Sequence, residues 1–188
     1  MKTITVYCGA AEGSAKYVSQ MDKLVEWFIG EGYHVVYGGG KVGLMGHLAD
    51  SVLEKGGEVT GVMPHLLKER EIAHPHLTKM ILTENMSERK RKMIELGDVF
   101  LAFPGGPGTL EEITEVISWA RIGEHLKPCI VYNYNGYYDA LCDMYDKMVE
   151  EGFLDSGARE KILFSDKFEE ISGFVSAYVP PKIRQYED

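Results

Sequence analysis

The stretch Asp98-Val99-Phe100-Leu101-Ala102-Phe103-Pro104-Gly105-Gly106-Pro107-Gly108-Thr109 decides the fold. Its first half is almost wholly apolar, as a strand buried on both faces of a parallel sheet must be. Its second half places three glycines in four positions. A helical spacing of apolar residues then runs to about Ile122. Strand, glycine loop and helix in direct succession make one half of a β–α–β unit.

The same alternation extends in both directions. Upstream, Thr3–Tyr7 reads as a first strand, Lys16–Gly30 as a helix carrying Val18, Met21, Leu24, Val25 and Phe28, and Tyr33–Tyr37 as a second strand. A helix from about Gly43 to Lys55 stops at Gly56-Gly57, and a third strand covers Glu58–Met63. Pro64–Pro75 reads as irregular, Thr78–Leu82 as a strand and Glu84–Leu96 as a helix with a basic middle. Downstream follow a strand at Pro128–Tyr132, a helix at Tyr137–Glu151, a short strand at Ile162–Phe164 and a last helix at Phe168–Tyr178. Such alternation predicts an α/β fold: a doubly wound, mostly parallel, Rossmann-like sheet with helices on both faces. No linker or internal repeat divides residues 1–188, so a single nucleotide-binding α/β domain is expected, with the tail 180–188 exposed.

Composition narrows the function. Domains usually run to roughly 100–200 residues, and a chain of 188 buries a core without a staple. Hydrophobic residues at 45% and charged residues at 26% are the ordinary globular balance. A formal net charge of −9 argues against long nucleic acid as a partner, because phosphate backbones need a cationic face. A small phosphorylated ligand needs only one local positive pocket. Cys8, Cys129 and Cys142 are scattered and form no CxxC, which points away from a disulfide framework or zinc site and suits a reducing cytoplasm. The chain goes straight into a strand-like run, with no signal-peptide pattern, and no apolar stretch suits a membrane span.

Ligands of such sheets bind beyond the carboxyl ends of the strands. Three glycine-rich loops fall there: Cys8–Ser14, Gly38–Gly46 and Pro104–Thr109. Glycine lets a backbone approach a ligand closely, and the helix that follows aims free N–H groups and its positive end at it, which favours phosphate. Gly38-Gly39-Gly40 reads equally as a tight strand-to-helix turn. The loop Gly105, Gly106, Pro107, Gly108, Thr109 is the stronger candidate, because it follows the buried strand directly and ends on a hydroxyl that caps the helix or binds phosphate. It is not a P-loop, since no Gly-Lys-Ser/Thr follows.

Beside this loop stand Glu111 and Glu112. Acidic residues in a first helical turn usually only favour the dipole, but a carboxylate beside a phosphate site is repelled by the ligand unless it has a separate task. Acting on the attached sugar is one such task, because glycosidic cleavage passes through an oxocarbenium-like state that a carboxylate stabilises. The run Glu88-Arg89-Lys90-Arg91-Lys92 reads either as a solvated basic face or as the source of positive charge for the ligand.

Taken together, the motifs resemble a known family. Pro104–Glu112 matches PGGxGTxxE, Met86-Ser87-Glu88-Arg89-Lys90 is similar to MHxRK, and Gly38-Gly39-Gly40 with Gly43-Leu44-Met45-Gly46 is similar to GGGxxGLMG. Arg70-Glu71-Ile72, Trp119-Ala120 and Gly136-Tyr137-Tyr138 fit in order. The chain from strand one to about Phe153 resembles the LOG (Lonely Guy) family of cytokinin riboside 5′-monophosphate phosphoribohydrolases, many of which have carried the label lysine decarboxylase.

The resemblance implies a homodimer that hydrolyses the N-glycosidic bond of a nucleoside 5′-monophosphate to free base and ribose 5-phosphate, with no metal or redox cofactor. It implies Arg89 and Glu112 as the catalytic pair, Glu112 acting at the sugar and Arg89 orienting and polarising the substrate. It implies phosphate binding by Gly106–Thr109 with help from Gly43, and ligand contacts at Glu71, Lys90 and Ser118. Ser87 stands where the family often has His, and Pro107 fills the variable slot of the loop and stiffens it. A decarboxylase reading finds no constellation in the residues: a pyridoxal enzyme needs a Schiff-base lysine and a partner for the ring nitrogen. Two alternatives stand beside hydrolysis of cytokinin nucleotide or AMP. One is a non-catalytic nucleotide sensor or carrier; the other is a glycosidase for other purine or pyrimidine monophosphates.

The remaining residues read as structure. His74-Pro75-His76 suggests a surface loop. Tyr132, Tyr134, Tyr137 and Tyr138 suggest packing or dimer contacts, Trp119 suggests core or interface, and Met45 and Met93 read as core packing, with a hydrophobic wall for a base or prenyl group as the other reading.

Overall fold

The computed structural model describes residues 2–68, 70 and 73–183. Among them, β1 (Lys2–Tyr7), β2 (Tyr33–Tyr37), β3 (Val59–Pro64), β4 (Lys79–Thr83), β5 (Val99–Ala102), β6 (Cys129–Tyr132) and β7 (Ile162–Ser165) form one sheet in the order β4-β3-β2-β1-β5-β6-β7. Every pairing is parallel, so the expected mostly parallel sheet is parallel throughout.

The chain winds outward from β1 to β4, then returns to the other side of β1 as β5. In register, Ile4 pairs with Val35 of β2 and with Val99 of β5. The loops that leave β1 and β5 therefore diverge to opposite faces, opening a crevice at the point where strand order reverses.

Successive side chains of a strand face opposite ways, and the helices follow. Ile4, Val6, Val35, Val99 and Leu101 pack against α1 (Ala15–Gly30), α2 (Gly43–Glu54) and α8 (Phe168–Ser176) through Met21, Leu24, Leu48 and Ile171. Val36, Phe100, Ala102 and Val131 pack on the other side against α4 (Met86–Leu96), α5 (Pro107–Ile122) and α6 (Asp139–Glu150) through Met93, Ile113, Val116 and Tyr145. Two apolar faces on β5 are the reason its sequence shows no alternation.

Three short pieces lie outside the sequence expectations: α3 (His65–Lys68) inside the segment read as irregular, a 3₁₀ turn at Tyr134–Gly136, and α7 (Ser156–Arg159). His74 is not on the surface. It is buried, with Nε2 paired to Asp50 of α2 at 2.9 Å and Nδ1 accepting from the His76 amide at 3.3 Å. Of the tail 180–188 expected to be exposed, Lys182 and Ile183 are exposed but Pro181 is buried, and 184–188 lie outside the described residues.

Candidate active site

The β1, β2 and β5 loops and the N-terminal turns of α2, α4 and α5 enclose a cleft of about 570 Å³ at the sheet's reversal point. One wall is the segment Pro104–Thr109. The β5–α5 loop delivers α5 with Gly106 at its N-cap and Pro107 at its first position, where proline loses no hydrogen bond. Gly106 has no side chain to cap the free N–H groups of this turn, and Pro107 contributes no N–H. A Cβ built on Gly106 or Gly108 meets nothing within 4 Å. Gly108 is helical, where alanine is favoured by about 1 kcal/mol. No packing neighbour demands glycine at these two positions, and both line the cleft. Gly105 differs: a Cβ there falls 2.2 Å from the Thr109 hydroxyl and 2.8 Å from the Gly9 amide, so it lets the β1 and β5 loops touch.

Apolar lining comes from Cys8, Tyr17, Leu44, Met45, Leu67 and Met86. Met45 thus borders the cleft, whereas Met93 is core, and Tyr137 lines the cleft although sequence reading gave it to packing or a dimer contact. Burial and the Glu112 charge push the Cys8 thiol far up, so it stays a neutral wall and no nucleophile.

Arg89 and Glu112 meet in this cleft, with Nη1 3.4 Å from Oε1 and both residues buried. Buried charges need partners. The Arg89 Nε donates to the Val62 carbonyl at 3.1 Å, and Nη1 lies 3.7 Å from the Met86 sulfur. A Cβ on Gly38 would stand 2.3 Å from Arg89 Nη2, so that glycine makes room for the guanidinium. Glu112 sits one turn deeper in α5 than a residue that only serves the dipole; the first turn of α5 holds no acidic residue. Near this charge the Tyr7 phenol is held well above its usual range, chiefly by burial, and remains a proton carrier.

The basic run divides by helical geometry. Arg89 turns inward, whereas the Lys90 ammonium contacts Glu111 at 2.8 Å and Glu115 at 2.9 Å. These bonds raise the Lys90 pKa. Lys90 is not among the residues lining the cleft. Neither is Ser118, which is exposed on α5, nor Gly43, whose neighbours Leu44 and Met45 do line it. Glu111 reaches the rim. Gly43 has φ +61°, and a Cβ there would stand 2.1 Å from the Ala10 carbonyl oxygen: its observed task is to let the β1 and β2 loops meet. Glu71 lies outside the described residues. Sequence reasoning missed Tyr17, Leu67 and Met86 in the cleft, since single side chains reaching in from helices carry no local signal.

A family model described as "Possible lysine decarboxylase" matches residues 45–173. The chain is 40% identical over 182 residues to cytokinin riboside 5′-monophosphate phosphoribohydrolase LOG1 of Arabidopsis thaliana, covering 95% of this chain and 84% of that one. It is 38% identical to the enzyme of the same name from Rhodococcoides fascians, covering 96% and 90%. Among solved structures, the structural-genomics target TM1055 aligns with TM-score 0.70 at 23% identity, over 94% of this chain and 99% of that one. The molybdenum cofactor binding protein of Rippkaea orientalis aligns with TM-score 0.69 at 16% identity, over 94% and 96%. Those two likenesses are of fold alone.

Proposed function

The chain belongs to the family whose model is described as possible lysine decarboxylase and whose relatives include the cytokinin riboside 5′-monophosphate phosphoribohydrolases, and from that membership we propose that it hydrolyses the N-glycosidic bond of a nucleoside 5′-monophosphate. The products are free base and ribose 5-phosphate. The observation that carries this reading is the pairing, in one cleft, of unobstructed Gly106 and Gly108 with the buried Arg89–Glu112 pair. Decarboxylation of lysine through a Schiff base needs a cleft lysine, and among the described residues lining the cleft there is none.

In this reading the 5′-phosphate rests on the first turn of α5, against Gly106, Gly108 and Thr109, and is favoured there by free N–H groups and the helix dipole. Glu112 faces the ribose. As the glycosidic bond breaks, its electron pair leaves with the base, which takes up a proton. Glu112 stabilises the positive charge on the sugar and accepts the proton of the water that adds to the anomeric carbon. Arg89 holds that carboxylate in place. Lys90 acts indirectly, fixing Glu111 and Glu115 on α5. The apolar wall of Leu44, Met45, Leu67 and Met86 suits a base with an apolar substituent.

The proposal extends to a single domain acting as a homodimer in a reducing cytoplasm. Leu110 and Ile122 on α5 and Leu126 beyond it are 40%, 57% and 54% exposed, apolar surface that a second copy would cover. The cysteines are unpaired, and among the described residues no helix is long and apolar enough to cross a membrane. Sedimentation at micromolar concentration is expected to give twice the chain mass; a single-chain mass sinks the dimer. The enzyme is tested by a panel of purine and pyrimidine monophosphates, AMP and prenylated AMP included, scored by base and ribose 5-phosphate released. Tight AMP binding with no release from any of them would make the protein a sensor or carrier instead.

A further inference from the structure

Two consecutive tyrosines grip the cleft's glycine loop, Tyr137 as part of the cleft lining and Tyr138 from the buried side. The Tyr137 hydroxyl donates to the Gly105 carbonyl at 2.6 Å, and the Tyr138 hydroxyl donates to the Phe103 carbonyl at 3.0 Å. The two bonds straddle Pro104. Neither tyrosine belongs to β5 or α5; they follow β6, 32 and 35 residues downstream of their acceptors.

The turn that presents them is unusual. Asn135 has φ +54° and Gly136 φ +70°, two left-handed residues in a row. Asn tolerates that region better than most residues. A Cβ on Gly136 would stand 2.5 Å from the Asp139 carboxylate. Asn133 locks the turn from inside: Oδ1 accepts from the Tyr138 amide at 2.6 Å and Nδ2 donates to Asp139 at 2.7 Å. The Tyr137 ring is braced edge-on by Tyr17 of α1 at 5.7 Å and by Tyr138 at 4.8 Å. Backbone in sparsely populated regions persists where surrounding structure over-determines it, and it clusters at sites with a task.

The task follows from peptide geometry. A trans peptide carries its C=O and N–H on opposite edges of one plane. Fixing the Gly105 carbonyl therefore fixes the direction of the Gly106 N–H. Gly106 heads α5, lines the cleft and has no side chain to restrain it. The Gly105–Gly106 peptide has no Cβ on either side to restrain it, and only Pro107 beyond it stiffens the loop, so an outside hold keeps its donor aimed. Tyr138 does the same for the peptide before Pro104, which has no N–H to offer.

We infer that Tyr137, seconded by Tyr138, is a positioning residue that pre-aims the Gly106 N–H at the substrate phosphate. This rests on the proposed reading of the cleft as a nucleotide phosphate site. It implies a selective defect: loss of the Tyr137 hydroxyl weakens ligands through their phosphate and leaves base and ribose contacts alone.

The test is calorimetric binding of AMP and adenosine to the full chain and to Tyr137→Phe, which keeps the ring, with melting temperature as a control. One hydrogen bond of this kind governs roughly a five- to tenfold change. The AMP-over-adenosine preference is expected to fall by that factor through weaker AMP binding, at an unchanged melting temperature. Tyr138→Phe, a buried change, is expected to shift the preference the same way and to lower the melting temperature as well. An unchanged preference in Tyr137→Phe overturns the inference, and so does equal weakening of both ligands. If the unmodified protein binds AMP no better than adenosine, the phosphate site itself is wrong and the clamp falls with it. If it binds AMP but releases no base, only hydrolysis is lost, and the binding ratio still decides the clamp.

Discussion

Two glycine loops at the same end of the sheet look alike in sequence and do different work. In the β2–α2 loop, glycines are filled in by the protein itself: Gly38 by the Arg89 guanidinium, Gly40 by the Met45 methyl group and Gly43 by the Ala10 carbonyl. In the β5–α5 loop, Gly106 and Gly108 face open cleft with no neighbour to explain them. The first loop uses these glycines to bring chain segments together; the second uses Gly105 in that way but Gly106 and Gly108 to leave space. An unfilled glycine at a helix N-terminus, in a position where alanine would be favoured, is the stronger mark of a ligand.

The contrast is open to direct attack. The largest effect is expected from Gly43→Ala, which needs a positive φ and drives a methyl group into backbone. A loss of about 3 kcal/mol or more of folding stability should appear in urea melts; a neutral result would mean that the two loops are not pressed together. Next comes Gly38→Ala. The atom in its way is the tip of a side chain, so stability should fall by only about 1–2 kcal/mol. Displacing Arg89 should slow base release by roughly 100-fold. Gly108→Ala inverts the pattern: thermal stability holds or rises by up to about 1 kcal/mol, while AMP binding weakens about tenfold in calorimetry. A drop in melting temperature there would put Gly108 in the same class as Gly43 and break the comparison.

The smallest expected effect concerns the far end of α5. The His125 Nε2 donates to the Val116 carbonyl at 2.7 Å, and Nδ1 accepts from the Lys127 amide at 3.2 Å, so the ring is held neutral. Burial lowers its pKa from 6.5. A depressed folded-state pKa means that the unfolded chain takes up the proton first, so His125 adds full stability above about pH 6.5 and loses it as pH falls below. The melting temperature should decline from pH 7 to pH 5, and less steeply in His125→Asn; equal slopes would discharge His125.

Much of this architecture is legible in the residues. All seven strands announce themselves because a parallel sheet needs short apolar runs, and the long helices through their spacing. The four-residue helices α3 and α7 do not, since one turn is too short to show a period. Within the site, Arg89 and Glu112 are visible through motif resemblance, but the direction in which Lys90 points is not. Lys90 and Arg89 are neighbours in sequence, and only the rotation of α4 against α5 sends one into the cleft and the other to Glu111 and Glu115. His74 is illegible for a similar reason, because its partner Asp50 sits on α2, 24 residues away. Contacts between elements of distant sequence leave no local trace.

The central claim is that the cleft between the open glycines and the Arg89–Glu112 pair breaks an N-glycosidic bond. Its most direct test follows base and ribose 5-phosphate from AMP or prenylated AMP, with the protein and with Glu112→Gln side by side. The account predicts equimolar base and ribose 5-phosphate from the former. It predicts a rate at least about 100-fold lower in the latter, with folding and nucleotide binding retained. Equal rates in the two proteins, or release of nucleoside and inorganic phosphate in place of base, would contradict it.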